Sequence, residues 1–104
     1  MKYFLLTILV LLSNLSFAYS TDTGIVTRIY TSPNGAIAFQ IEGGFVNAEG
    51  AGQCENNNGW AGITQSDPVL KSLILAAKVS KSIVKVDLEG CNGSWFNIVG
   101  IYLN

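Results

Sequence analysis

The chain has 104 residues, six of them basic, seven acidic and none histidine, for a formal net charge of −1. That length allows one domain, the charge leaves no basic footprint for DNA or RNA, and the missing histidine excludes Ser–His and Cys–His nucleophilic catalysis in its usual form. Hydrophobic residues make up 49% and charged residues 12%, enough for a core, but a small one that needs a further staple.

In chain order, the first element is Met1-Lys2-Tyr3, followed by an apolar run from Phe4 to Leu12 and by Ser16-Phe17-Ala18, with small residues at the minus-three and minus-one positions. This is the layout of a secretory signal peptide cleaved after Ala18. The run is too short for a membrane anchor, which needs about 20 apolar residues. The expectation is a signal peptide over 1–18 and one exported domain over 19–104, secreted or periplasmic, with no membrane span after cleavage.

Gly24 to Thr31 is rich in β-branched residues and reads as a first strand. Ser32-Pro33-Asn34-Gly35 is a turn, because Pro presets φ and Asn-Gly accepts positive φ. Ala36 to Glu42 alternates as the second strand of a hairpin. Gly43-Gly44 breaks or bulges it, and Phe45-Val46-Asn47 continues it on a new heading. Ala48 to Gly59 is a Gly/Asn/Glu/Gln loop that carries Cys54. Trp60 to Thr64 is a short third strand.

Asp67 and Pro68 start a helix as N-cap and first helical residue. Val69, Leu70, Leu73, Ile74, Ala76 and Ala77 form its apolar stripe, to about Val79. That face reads as core, not as a membrane-active surface. Four of the five basic residues left after the signal lie between Lys71 and Lys85, which reads as a solvated helix face and its exit. In the strand Ile83 to Glu89, Val84, Val86 and Leu88 face inward, with Lys85, Asp87 and Glu89 in water. Gly90-Cys91-Asn92-Gly93-Ser94-Trp95 is a turn, and Phe96 to Leu103 is a last strand, apolar on both faces. Such a strand is central in a closed barrel or makes a subunit contact. The fold class is therefore mainly β with one helix, a small OB-fold-like barrel with the helix between strands 3 and 4. The competing arrangement is an open α+β sheet with the helix across one face.

Cys54 and Cys91 are the two cysteines. In an exported domain of this size they read as a disulfide, with two free buried thiols as the alternative. Two cysteines without histidine are too few for zinc. Gly43-Gly44 and Gly50-Ala51-Gly52 lack the lysine and the strand–loop–helix setting of a phosphate loop, so no cofactor or metal is expected. Each cysteine precedes an Asn, a Gly and a Trp, and the disulfide would bring two Asn/Trp-rich loops side by side. Asn57, Asn58, Trp60, Asn92, Ser94 and Trp95 are therefore the candidate binding residues. Aromatic faces stack on sugar rings and amides bond hydroxyls. The alternative for both tryptophans is packing on the disulfide or in the barrel ends. Asn92-Gly93-Ser94 also matches the N-glycosylation sequon, which a turn explains equally well. No pair of carboxylates stands apart as a catalytic acid and base, and an enzyme is not expected.

The runs Trp60-Ala61-Gly62-Ile63, Asp67 to Lys78, Ile83-Val84-Lys85-Val86 and Gly90-Cys91 resemble small exported bacterial proteins related to the B subunit of subtilase cytotoxin. The resemblance spans roughly Gly24 to Leu103. It implies an OB-fold, a pentameric ring and binding of cell-surface glycans, and it carries over no individual site residue. Two functions follow as expectations. One is a non-catalytic, lectin-like glycan-binding subunit. The other is a secreted or periplasmic OB-fold protein that binds another protein or a small ligand, with no toxin role.

Overall fold

A computed structural model describes residues 19–104. The expected signal peptide over 1–18 lies outside the described residues. The elements are β1 (Ser20–Thr31), β2 (Ile37–Ile41), α1 (Val46–Gly50), β3 (Ala61–Ile63), α2 (Pro68–Ser80), β4 (Ile83–Asn92) and β5 (Trp95–Leu103). Among the described residues the protein is mainly β, with one long helix among five strands. The strands pair in the order β1-β2-β3-β5-β4, and β4 pairs back to β1, so the sheet closes on itself. All pairs are antiparallel except β3 with β5, which is parallel and only two residue pairs long. No helix among the described residues is long and apolar enough to cross a membrane.

β1 serves two neighbours. Ser20 to Ile25 pair with β4, and Val26 to Thr31 pair with β2. It starts four residues earlier than its β-branched run suggests, because Ser20 to Thr23 find partners in β4. The register shifts between Val26 and Arg28, and such a bulge re-aims the side chains that follow it. Val26 is buried, whereas Arg28 and Tyr30, of the same parity, are exposed.

The core gathers Val26, Ile37, Phe39, Ile41, Phe45, Ile74, Val84, Val86, Leu88, Phe96 and Ile98. Phe45 stands edge-on between Phe39 and Phe96, with ring centroids 5.8 Å from each, the geometry favoured by the aromatic quadrupole. The alternation expected of β4 holds for Val84, Val86 and Leu88. Asp87 does not face water as expected. It is only 8% exposed, because the Thr21 hydroxyl donates to its Oδ1 at 2.7 Å. Gly100 across the ladder leaves room for the carboxylate. β4 also runs through Gly90 to Asn92, which shrinks the expected turn to Gly93-Ser94.

α2 begins as its sequence dictates. Leu70 N–H donates to Asp67 Oδ1 at 2.8 Å, with Pro68 in the first turn. It ends where Lys81 turns left-handed at φ 55° and its N–H bonds the Ala77 carbonyl. Ile74 and Ala77 are buried and Leu70 packs beside them. The stripe read from the sequence is too wide. Val69 is 75% exposed and Ala76 is also in water, since α2 meets the sheet along a narrow line, mainly at β1.

Phe45 to Asn47 do not continue β2. Gly43-Gly44 end that strand with positive φ at both residues, and Phe45 becomes the N-cap of α1. No local side chain caps this short helix. Asp22 does so from β1: its Oδ1 accepts Asn47 N–H at 2.8 Å and its Oδ2 accepts Ala48 N–H at 3.1 Å. These are the second and third N–H groups of a helix, which a neighbouring Ser or Asp would ordinarily take. Asp22 is 3% exposed. Asp22→Ala removes the acceptor from both donors, of which the Ala48 N–H is buried, and should cost about 2 kcal/mol in urea unfolding. Asp22→Asn, which keeps one acceptor, should cost less. Equal stability of all three proteins would refute the cap.

Candidate functional site: an aromatic cleft on the outer face of the sheet

The outer face of β1, β2, β3 and β5 carries a row that can be followed through the register. Tyr30 lies opposite Ala38, Ala38 opposite Gly62, and Gly62 opposite Asn97. The two middle members are small, so the row is a shallow trough. The Trp95 ring lies in it: a Cβ built on Gly62 would sit 2.6 Å from Trp95 Cε3 and 2.7 Å from Ala38 Cβ. Tyr30 meets Trp95 edge-on, with centroids 5.9 Å apart and planes at 64°. Trp60 enters from the segment before β3, and Arg28 Cζ stands 5.1 Å from its ring centroid. Tyr30, Asn58, Trp60 and Trp95 line a cleft of about 300 Å³.

Two chain segments far apart in sequence form this cleft. The Cys54–Cys91 disulfide joins them, with Cα atoms 5.0 Å apart, Cys54 buried and Cys91 exposed. Hydrogen bonds continue the junction. Asn57 Nδ2 donates to the carbonyls of Trp60 and Ser94 at 2.9 and 3.0 Å. Its Oδ1 accepts Gly59 N–H at 2.8 Å. Asn58 N–H donates to Ser94 O and Phe96 N–H to Trp60 O, each at 3.0 Å. Asn58 Oδ1 accepts Trp60 N–H at 3.3 Å, and Gln40 Nε2 reaches Gly59 O at 3.4 Å. The loop before Trp60 is thus held from both sides.

The six candidate residues fall into distinct places. Asn58, Trp60 and Trp95 line the cleft. Asn57 has its amide engaged by backbone groups and shapes the loop. Ser94 accepts the two bonds from that loop through its carbonyl and is exposed at the turn. Asn92 lies opposite Trp95 at the base of the turn, and its Nδ2 bonds Asn97 Oδ1 at 3.3 Å. Both tryptophans are half-buried, with one side on the protein and the other in the cleft. Sequence reasoning missed Tyr30 and Arg28. The signal was an aromatic and a cation two apart near the end of a strand. The bulge that turns them outward has no mark in the sequence.

A second hollow, of about 290 Å³, is lined by Gly52, Gln53, Glu89 and Gly90 and has no aromatic wall. Among the described residues no group of three or more His, Cys, Asp or Glu is placed to hold a metal ion. The cleft's chemistry is stacking on three rings, hydrogen bonding to an amide and a phenol, and one fixed positive charge beside them. No protein-family model, curated protein or solved structure matches the chain.

Proposed function

We propose that the chain is an exported, non-catalytic binding module of the OB-fold class and that its aromatic cleft holds a carbohydrate. The observation that carries this reading is the convergence of Tyr30, Trp60 and Trp95 on one outward cleft with Asn58. Large aromatic rings half-exposed on a sheet face lose hydration cheaply against the apolar face of a sugar ring, and the neighbouring polar groups take its hydroxyls. The strand order β1-β2-β3-β5-β4, with α2 between β3 and β4, supports the OB-fold assignment. OB-folds bind oligosaccharides and oligonucleotides on the face of strands 2 and 3, beside the turn between strands 4 and 5. Asn58 and Trp60 lead into β3 and Trp95 follows the β4–β5 turn, which supports the same comparison. The resemblance to toxin B subunits supports the same ligand class and a ring of five protomers. Binding of a protein or a small aromatic ligand would use the same rings.

The test is a glycan array on residues 19–104, followed by titration with tryptophan fluorescence as the readout. Trp60→Ala and Trp95→Ala should each weaken binding by about tenfold or more, with the fold retained by circular dichroism. No glycan bound at millimolar concentration, or unchanged affinity in both variants, would overturn the reading. Light scattering on the same sample separates a ring near five protomers from a monomer.

A further inference from the structure

The outward face of α2 has no covering. A turn of 100° per residue sets Pro68, Ser72, Leu75 and Val79 opposite the buried Ile74 and Ala77, with Val69 and Ala76 on one flank and Lys71 and Lys78 on the other. Val69, Leu75 and Val79 are 75%, 51% and 83% exposed. Apart from Ser72, the solvent side of this helix is therefore apolar. A helix that is apolar on both faces is ordinarily buried on both. Lys81 follows at the left-handed end, and no acidic residue occurs between Pro68 and Lys81.

We infer that α2 is a docking surface for an anionic phospholipid bilayer. The charge pattern selects this occupant. A second copy docking the same face by twofold symmetry would bring the same lysines and no counter-charge to it. An anionic headgroup layer matches the exposed Lys78 and Lys81 and the half-buried Lys71, whose ammonium lies beside the Gly35 turn, while the acyl boundary takes Leu75, Val79 and Val69. Helices that lie in a membrane interface combine an apolar face with flanking lysines in this way, and lysine stems can extend sideways to keep their ammonium groups among the headgroups. The helix is too short to span a bilayer, so the contact is peripheral. The surface involves no residue of the aromatic cleft and stands whether or not the cleft holds a sugar.

Residues 19–104 contain the five strands, α1, α2 and the disulfide described above, and this chain is the one to test. It should co-sediment with vesicles of phosphatidylcholine and phosphatidylglycerol and not with phosphatidylcholine alone. Half-molar salt should reduce the binding, since screening weakens exposed charge interactions. Leu75→Ser combined with Val79→Ser should lower partitioning at least tenfold, as should Lys71→Glu combined with Lys78→Glu, at about fivefold per lysine removed. All four sites lie on the solvent side or flanks of α2, and an unchanged thermal midpoint verifies the fold of each variant. Absence of binding to anionic vesicles, or binding that survives both double substitutions, overturns the inference. So does concentration-dependent self-association without lipid that Leu75→Ser and Val79→Ser abolish, which would assign the face to a second copy.

Discussion

Gly62→Ala should destabilise the protein by about 3 kcal/mol and disorder the Trp95 side of the cleft. The added methyl would lie 2.6 Å from the Ile37 carbonyl, 2.6 Å from Trp95 Cε3 and 2.7 Å from Ala38 Cβ. Two of these neighbours cannot rotate away: one is backbone and the other is a methyl on the adjacent strand. Departure of the Trp95 ring relieves only one of the three contacts, so β2 and β3 must also part. Parting the strands loses ladder bonds, and displacing the ring exposes an aromatic side chain. Gly50→Ala is the control. A Cβ there meets nothing within 4 Å and its φ is not positive, so this substitution should be neutral or slightly stabilising in α1. Urea unfolding reports stability, and the near-ultraviolet signal of the tryptophans reports the cleft. If Gly62→Ala unfolds at the same urea concentration as the parent chain, the trough does not have the packing described.

Removing the disulfide should have a larger effect. Cys54 and Cys91 are separated by 37 positions, and opening a loop of that size frees chain entropy in the unfolded state worth about 4 kcal/mol. A small domain has only about 5–15 kcal/mol in total, so the thermal midpoint should fall by roughly 15–30 °C. Calorimetry with and without reductant measures this, and Cys91 is exposed enough for the reductant to reach the bond. The paired substitution Cys54→Ser with Cys91→Ser gives an independent value. A fall of less than about 5 °C, equivalent to roughly 1 kcal/mol, would mean that residual structure already restrains the unfolded chain.

What the sequence disclosed were features whose cause is local. Asp67-Pro68 cap α2 through atoms three residues away, and Val84, Val86 and Leu88 alternate because one strand faces one core. The disulfide followed from chain size and residue count, and the repeated Cys, Asn, Gly and Trp pointed to three of the four residues that line the cleft. The remainder has non-local causes. α1 owes its first turn to Asp22, more than twenty residues earlier, so Phe45 to Asn47 look like strand when read alone. Asp87 is covered because Thr21 and Gly100 lie beside it on neighbouring strands. Tyr30 and Arg28 join the tryptophans because a bulge changes the side to which β1 points. Val69 and Ala76 carry apolar side chains that periodicity assigns to the core stripe, whereas Leu75 and Val79 fall outside that stripe and are apolar all the same. Their exposure reflects how little of a helix a small ring of strands can cover.

The two-residue pairing of β3 with β5 is the shortest join in the ring, and the cleft lies across it. Tyr30 belongs to β1 and Trp60 leads into β3, whereas Trp95 begins β5. Any molecule in contact with all three rings therefore bridges the join from outside. Local opening at that point separates the binding walls, so the open form has no complete site. By linkage, occupancy of the cleft and closure of the ring share one free energy. Whatever fills the cleft also acts as a clasp on the barrier to amide exchange at Phe96, whose N–H reaches across to Trp60.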